Sequence, residues 1–346
     1  MRNPIVYDET AAPDAAELAR WGRALSLPAR NWRTIRRLLG RTTALGYNRA
    51  GICDWVIKGG AGTRPHRTNF EAMVNNARLL RDLARETGAS WLATADPEAY
   101  RRGEAGGFDL IAAPYLPGLP LAAEHRLCVG EMTTLAADAA SMIKIMRWLE
   151  NRTETLSSSS AFADRPPFAP EPYIARISAR LEVRLRALVA EDGLEAAQAR
   201  KISNEFDRRL AVVPLRPTFA HGELTPWHVL HRGDGRISLI DLETMGLDVA
   251  GEDLSVLVMR TWALCAAPAV AELFLKTRRS LEGAGDRDRF DAELAWQWLY
   301  GAVRTRKESM SWRVRDEAES FWHHFLDEVL SPRARARDSF HVSASA

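Results

Sequence analysis

Apolar and polar residues alternate along the first third of the chain and recur at helical spacing along most of the remainder. Residues 15–25 read as a short amphipathic helix, ended by Leu27-Pro28. From Trp32 the text turns strand-like through Leu39-Gly40, then over 42–48, then over 52–58, with Gly40, Gly46 and Gly51 as punctuation. After a polar loop, the spacing of Phe70, Val74, Ala77, Leu80 and Ala84 predicts a helix over 69–87. Thr68 and Glu71 stand in Thr-x-x-Glu spacing at its start, a capping box that would satisfy its first backbone donors. Residues 91–95 and 108–113 predict two more strands. The second runs into a proline-stiffened segment, 114–121, which marks a domain boundary.

Beyond that boundary the periodicity is helical, over 122–151 (one long helix or a pair), 173–190 and 194–210. It resumes over 253–265, 269–281, 288–303 and 316–330. Residues 153–172, with Ser157 to Ser160 and four prolines, read as a loop or lid. The tail from Ser331 lacks apolar periodicity and reads as disordered. In the helix over 288–303, Phe290, Leu294 and Trp298 make one stripe and Trp296, Tyr300 and Val303 another. One stripe faces a core, while the other either lines a substrate cleft or is buried too.

The densest chemistry lies between Arg216 and Leu257. A strand-like run ends at His221-Gly222-Glu223, and His228 follows five residues after Glu223. The turn Arg232-Gly233-Asp234-Gly235 leads into an apolar run that carries Asp241 and Glu243. Alternation along a strand would set those two carboxylates on one face. A loop carboxylate and a pair of strand-end carboxylates suit phosphoryl transfer, where the protein orients a hydroxyl and holds divalent cations.

This stretch resembles the catalytic loop and metal-binding strand of the aminoglycoside phosphotransferase and choline kinase superfamily, which shares the protein-kinase fold. The family pattern is His-Gly-Asp, four residues, Asn, and later Ile-Asp-aromatic-Glu. The spacing matches throughout, with Glu223 in place of Asp and His228 in place of Asn. The resemblance implies an α+β, protein-kinase-like fold with a small antiparallel N-lobe over 31–116 and a helical C-lobe over 117–330. Residues 1–30 would be an N-terminal helical extension and 331–346 a tail. It also implies an ATP-dependent phosphotransferase with Mg²⁺ or Mn²⁺, acting on a hydroxyl of an antibiotic, sugar, nucleoside or biosynthetic intermediate. Glu223, His221 and Asp241 take the catalytic positions, Asp241, His228 and Glu243 the metal positions, and Asp253 buttresses the loop.

Lys58 follows Val56-Ile57 as the lysine of a kinase's third strand does, which implies contact with phosphate and an ion pair to Glu71. The pair and the capping box compete for Glu71. The 114–121 segment resembles the family's hinge, where backbone groups at Ala113 and Tyr115 would meet the nucleotide base. A degenerate relative that binds nucleotide without transfer, and one with altered chemistry such as nucleotidyl transfer, are the alternative readings.

Composition narrows the picture. Among the 346 residues, 46% are hydrophobic and 27% charged, as in soluble globular proteins. The formal charge of +2 implies no general attraction to nucleic acid. No run approaches the ~18–20 apolar residues of a membrane span, and residues 1–10 lack the layout of a secretion signal. Cys53, Cys128 and Cys265 match no metal or disulfide spacing, and a reducing cytoplasm is the expected setting. His221, His228 and His231 match no compact zinc spacing. The chain favours arginine so strongly that Lys58, the only lysine among the first 143 residues, stands out as a candidate phosphate contact.

Overall fold

A computed structural model describes residues 13–29, 31–38, 41–61, 66–120, 132–157, 168–213, 215–265, 268–283, 286–310 and 321–326. The chain divides into two units. One holds Ile5–Pro120 with His228–Thr244, the other Leu121–Trp227 with Met245–Ala346. The expected tail over 331–346 lies outside the described residues, as do Gly40 and much of the expected lid.

In the first unit, β1 (Asn31–Leu38), β2 (Arg41–Tyr47), β3 (Cys53–Ala61), β5 (Arg101–Ala105) and β6 (Phe108–Pro114) form an antiparallel sheet in the order β1-β2-β3-β6-β5. Helix α1 (Ala15–Ala24) starts where Asp14 accepts a hydrogen bond from the Glu17 N–H at 2.7 Å. Its Leu18 and Trp21, with Leu25 just beyond it, pack with Ala44, Ile57, Leu110 and Ala112 of the sheet. The segment expected as a separate extension therefore shares the sheet's core, because its apolar stripe has that face to cover.

Glycines make this packing possible. A Cβ on Gly59 would run into the Trp21 ring, and one on Gly22 or Gly46 into the Trp32 ring. Gly46 lies inside β2 opposite Trp55, so it makes room for an aromatic ring and is not a turn residue. Gly51, with φ +76°, is the residue that turns the chain into β3.

Helix α2 (His66–Glu86) begins two residues before Thr68, so the Thr68/Glu71 pair lies within the helix and not at its end. Its buried positions include Met73, Asn76, Ala77, Leu80 and Leu83. Relative to the expected stripe, the buried face is rotated toward Met73 and Leu83. A second sheet runs β4 (Leu92–Ala93), β10 (Ile237–Leu239), β9 (Val229–His231), β7 (Leu119–Pro120).

The other unit is helical apart from one ribbon. It holds α3 (Met132–Glu150), α4 (Thr153–Ser157), α5 (Pro170–Ala190), α6 (Ala196–Leu210), α7 (Glu252–Cys265), α8 (Pro268–Ser280) and α9 (Arg287–Met310). Part of the expected loop over 153–172 is thus helical at both ends, with prolines in the first turn of α5, where a missing N–H does no harm. Helix α9 packs against α5, α6 and α7, and both of its aromatic stripes are buried. Of the two alternatives for the second stripe, burial holds, because a helix with neighbours on several sides has two apolar faces to bury. The antiparallel ribbon pairs β8 (Pro217–Ala220) with β11 (Gly246–Val249) and leads directly into His221. Among the described residues no helix is long and apolar enough to cross a membrane.

Replacing Gly59 with Ala forces the buried Trp21 ring aside and should destabilise the protein by ~1–3 kcal/mol in urea unfolding. Gly233→Ala, at a position with nothing within 4 Å of the added Cβ, should stay within about 0.5 kcal/mol of the parent.

Candidate active site

The side chains singled out by the sequence gather in two groups, one in each unit. In the first unit the site is set by the register of a hairpin. Strands β9 and β10 pair His231 with Ile237 and Val229 with Leu239. Gly235, at φ +77°, closes the turn, and the Ile240 N–H donates to the His228 carbonyl at 3.0 Å. Pairing thus continues to His228, which brings its imidazole beside Asp241. His228 Nε2 lies 3.3 Å from Asp241 Oδ2.

Strand β10 ends at Leu239, and Asp241 takes φ +64° before the short helical turn Leu242–Thr244. The strand alternation expected for Asp241 and Glu243 is therefore absent. A left-handed aspartate followed by a tight turn serves instead, a conformation that Asp tolerates better than most residues. Helix α2 fixes this turn, since Asn76 Nδ2 donates to the Leu242 carbonyl at 2.6 Å.

Both carboxylates meet one ammonium. Lys58, in the middle of β3 and paired with Thr43 and Ile111, donates from Nζ to Asp241 Oδ1, and Glu243 Oε2 lies 3.6 Å from the same nitrogen. Glu71, the expected partner of Lys58, is exposed on α2, and the carboxylates at Lys58 are Asp241 and Glu243. Among the described residues no group of three or more side chains gathers as a ready metal cage. Two carboxylates turned to one point of positive charge suit a Mg²⁺-like cation that takes its other ligands from phosphate and water.

Backbone groups of Ala113 and Tyr115, the expected hinge residues, pair with β3. The Tyr115 N–H donates to the Asp54 carbonyl at 2.8 Å, and Ala113 pairs with Val56. In an antiparallel ladder backbone groups alternate in direction, so those of Ala113 and Tyr115 turn to β3 while the Pro114 carbonyl turns away.

In the helical unit the loop that carries Glu223 is tied down by its backbone. The His221 N–H donates to Asp253 Oδ2 at 2.7 Å and the Gly222 N–H to Asp253 Oδ1 at 2.8 Å. Gly222 has φ +81°, which a side chain would resist. His221 is fully buried and shapes the loop from within. Burial pushes the Asp253 carboxyl up to about 6, against the pull of the loop N–H groups. Beside it, burial and the nearby Asp248 raise Glu252 to about 8. Asp248, raised by burial as well, accepts from the Tyr173 hydroxyl at 2.7 Å.

Glu223 is half-buried. Arg304 Nη2 hydrogen-bonds its Oε1, and Arg260 Nη2 lies 3.6 Å from the same oxygen. Arg304 also reaches Glu252, Nη1 to Oε1 at 3.8 Å. Sequence reasoning missed Arg260, Arg304 and Glu252. The arginines belong to no local motif, and only the packing of α7 on α9 brings them to the loop.

A sheet with a lysine facing an aspartate, and a braced loop that presents a carboxylate, are the parts of a kinase-like phosphotransferase. Residues 55–292 match the phosphotransferase enzyme family, APH, and the chain belongs to that family. It is a phosphotransferase of that family. No curated protein matches the sequence. Among solved structures, it is similar to a thermostable mutant of aminoglycoside phosphotransferase APH(4)-Ia in ternary complex with AMP-PNP and hygromycin B. The TM-score is 0.61 at 14% identity, over 91% of this chain and 97% of that one. A mutant aminoglycoside 2'-phosphotransferase-IIIa in complex with GDP gives 0.57 at 13% identity, over 92% and 96%. The amicoumacin kinase hAmiN with AMP-PNP, Ca²⁺ and Ami gives 0.53 at 13% identity, over 90% of both chains. These likenesses establish the kinase-like α+β fold.

The buried acids predict a pH dependence. Glu252 and Asp253 have folded pKa values above their ordinary ones, so the native state holds protons that the unfolded chain has released. Their contribution to stability is complete at low pH and is lost as pH rises toward about 6 for Asp253 and about 8 for Glu252. Urea midpoints should fall between pH 5 and pH 8, and Glu252→Gln should flatten the part of the decline above pH 6.

Proposed function

We propose that the protein transfers the γ-phosphoryl group of ATP to a hydroxyl of a small natural product, with Mg²⁺ or Mn²⁺ bound alongside the nucleotide. The reading is carried by the convergence of Asp241 and Glu243 on the Lys58 ammonium, an oxygen-donor pair and a phosphate-seeking cation held together in one unit. The AMP-PNP and GDP complexes of solved relatives support a purine nucleotide as donor.

In this reading Lys58 exchanges its carboxylate partners for phosphate oxygens, for which a flexible ammonium is well suited. Asp241 and Glu243 would supply oxygens to the divalent cation, and His228, 3.3 Å from Asp241 Oδ2, would steady Asp241. When bound, that cation would neutralise charge on the phosphates. The Pro114 carbonyl, directed away from β3, is the group that would meet the base. Glu223 orients the acceptor hydroxyl and receives its proton. A bond forms between the acceptor oxygen and the γ-phosphorus, the bond to the bridging oxygen breaks, and ADP leaves.

The acceptor class is a hydroxylated antibiotic, sugar, nucleoside or biosynthetic intermediate. The ligands of the solved relatives, hygromycin B and Ami, make antibiotics the first to try.

MgATP should raise the melting temperature by several degrees at saturating concentration. Lys58→Ala should largely remove that shift, and Asp241→Asn should remove its dependence on metal, while Glu243→Gln weakens it. Against a panel of aminoglycosides, sugars and nucleosides, ATP consumption should identify an acceptor. With it, Glu223→Gln should lose ~10²-fold or more in kcat at little change in nucleotide affinity. No thermal shift with ATP or GTP would overturn the nucleotide reading. Full metal-dependent binding in Asp241→Asn would mean that the metal position is wrong.

A further inference from the structure

We propose that Arg304, with Arg260 beside it and Glu252 behind it, is the positioning residue that makes a glutamate workable at the catalytic position. The inference rests on Glu223 acting as the group that orients the acceptor hydroxyl.

A glutamate is one methylene longer than the aspartate of the family pattern, which moves its carboxylate ~1 Å farther from the loop and adds a rotatable bond. Left to itself, such a side chain samples several positions, and a misplacement of ~1 Å can lower a rate ~10²-fold. In this chain the carboxylate is held. Arg304 Nη2 hydrogen-bonds Oε1, and Arg260 Nη2 approaches the same oxygen at 3.6 Å.

The guanidiniums come from two helices that cross closely. Gly301 on α9 faces Met259 on α7, where a Cβ on the glycine would stand 2.7 Å from the Met259 sulfur. Arg260 follows Met259, and Arg304 lies almost one helical turn beyond Gly301. The crossing therefore delivers both side chains to the loop from a rigid platform. Arg304 and Arg260 are largely buried, and Glu252 Oε1 lies 3.8 Å from Arg304 Nη1, on the guanidinium's other arm. One guanidinium thus meets two carboxyl groups, the charged one of Glu223 and the buried one of Glu252, a fork that lysine cannot reproduce. Glu252 neighbours Asp253, whose carboxylate holds the loop backbone. Backbone and side chain of the catalytic loop are consequently fixed from the same end of α7.

The decisive test is a double-mutant cycle between positions 223 and 304. Turnover is read as ATP hydrolysis with water as the acceptor, and as phosphorylation of any hydroxyl compound found by the panel above. Arg304→Met should lower kcat ~10–10²-fold with the nucleotide KM changed less than ~3-fold and the melting temperature largely retained. Arg304→Lys, which keeps the charge but not the fork, should recover part of the loss. In a Glu223→Asp background, whose shorter side chain falls short of the guanidinium, Arg304→Met should cost less than ~3-fold more. Equal fractional losses in both backgrounds would mean that Arg304 acts on the fold and would overturn the proposal.

Glu223→Gln separates this failure from that of the underlying reading. If it retains wild-type turnover, Glu223 does not orient the hydroxyl. If it is inactive while Arg304→Met is fully active, only the positioning role falls. A readout independent of turnover is proton exchange at the Arg304 guanidinium by NMR. Exchange should be slow in the wild type and faster in Glu223→Gln, and equal rates in the two would overturn the proposal.

Discussion

A carboxylate removed from water holds the loop that presents Glu223. Asp253 receives the His221 N–H on one oxygen and the Gly222 N–H on the other. Asparagine could not replace it, because an amide offers one acceptor and would set its own N–H₂ against a loop donor. Burial opposes the charge strongly enough to raise the carboxyl to about 6, and the loop donors partly offset that cost. What the arrangement gains is definition. Two backbone bonds fix the peptide planes just before Glu223, and Gly222 at φ +81° supplies the bend that lets both donors point the same way. A few kcal/mol of unfavourable burial is a common expense at sites where geometry matters more than stability.

Much of this was legible because it is local. The hairpin register follows from two apolar runs and the turn at Arg232 to Gly235, and it carries His228 to Asp241 almost automatically. The strands β1 to β3 fall close to where alternation sets them. Other parts failed for identifiable reasons. Strand β5 has almost no apolar alternation. It is an edge strand, and its signal was the Gly106-Gly107 pair, whose positive φ values make the hairpin turn. Gly46 looks like punctuation, yet its absent side chain makes room for Trp32, a contact invisible without the fold. Asp241 and Glu243 converge on Lys58 by a left-handed residue and a tight turn, where a regular strand was expected. Glu71 looks like a partner for Lys58 only while the carboxylates contributed by the distant hairpin are unknown.

The two departures from the family pattern are answered by side chains outside the motif or across the hairpin. At the Asn position, His228 lies against Asp241 Oδ2, so a residue that is a poorer donor to a hard cation still bears on the carboxylate that is a better one. At the Asp position, the longer Glu223 is met by guanidiniums from α7 and α9. A motif read alone treats each substitution as a loss of function. A substitution in a loop, however, changes a distance, and distances are restored by whatever the packing can bring near. Here the close crossing at Gly301 and Met259 brings two arginines to the one carboxylate that needs restraint. In the proposed arrangement the altered loop is one half of a matched pair, and its other half lies in helices α7 and α9.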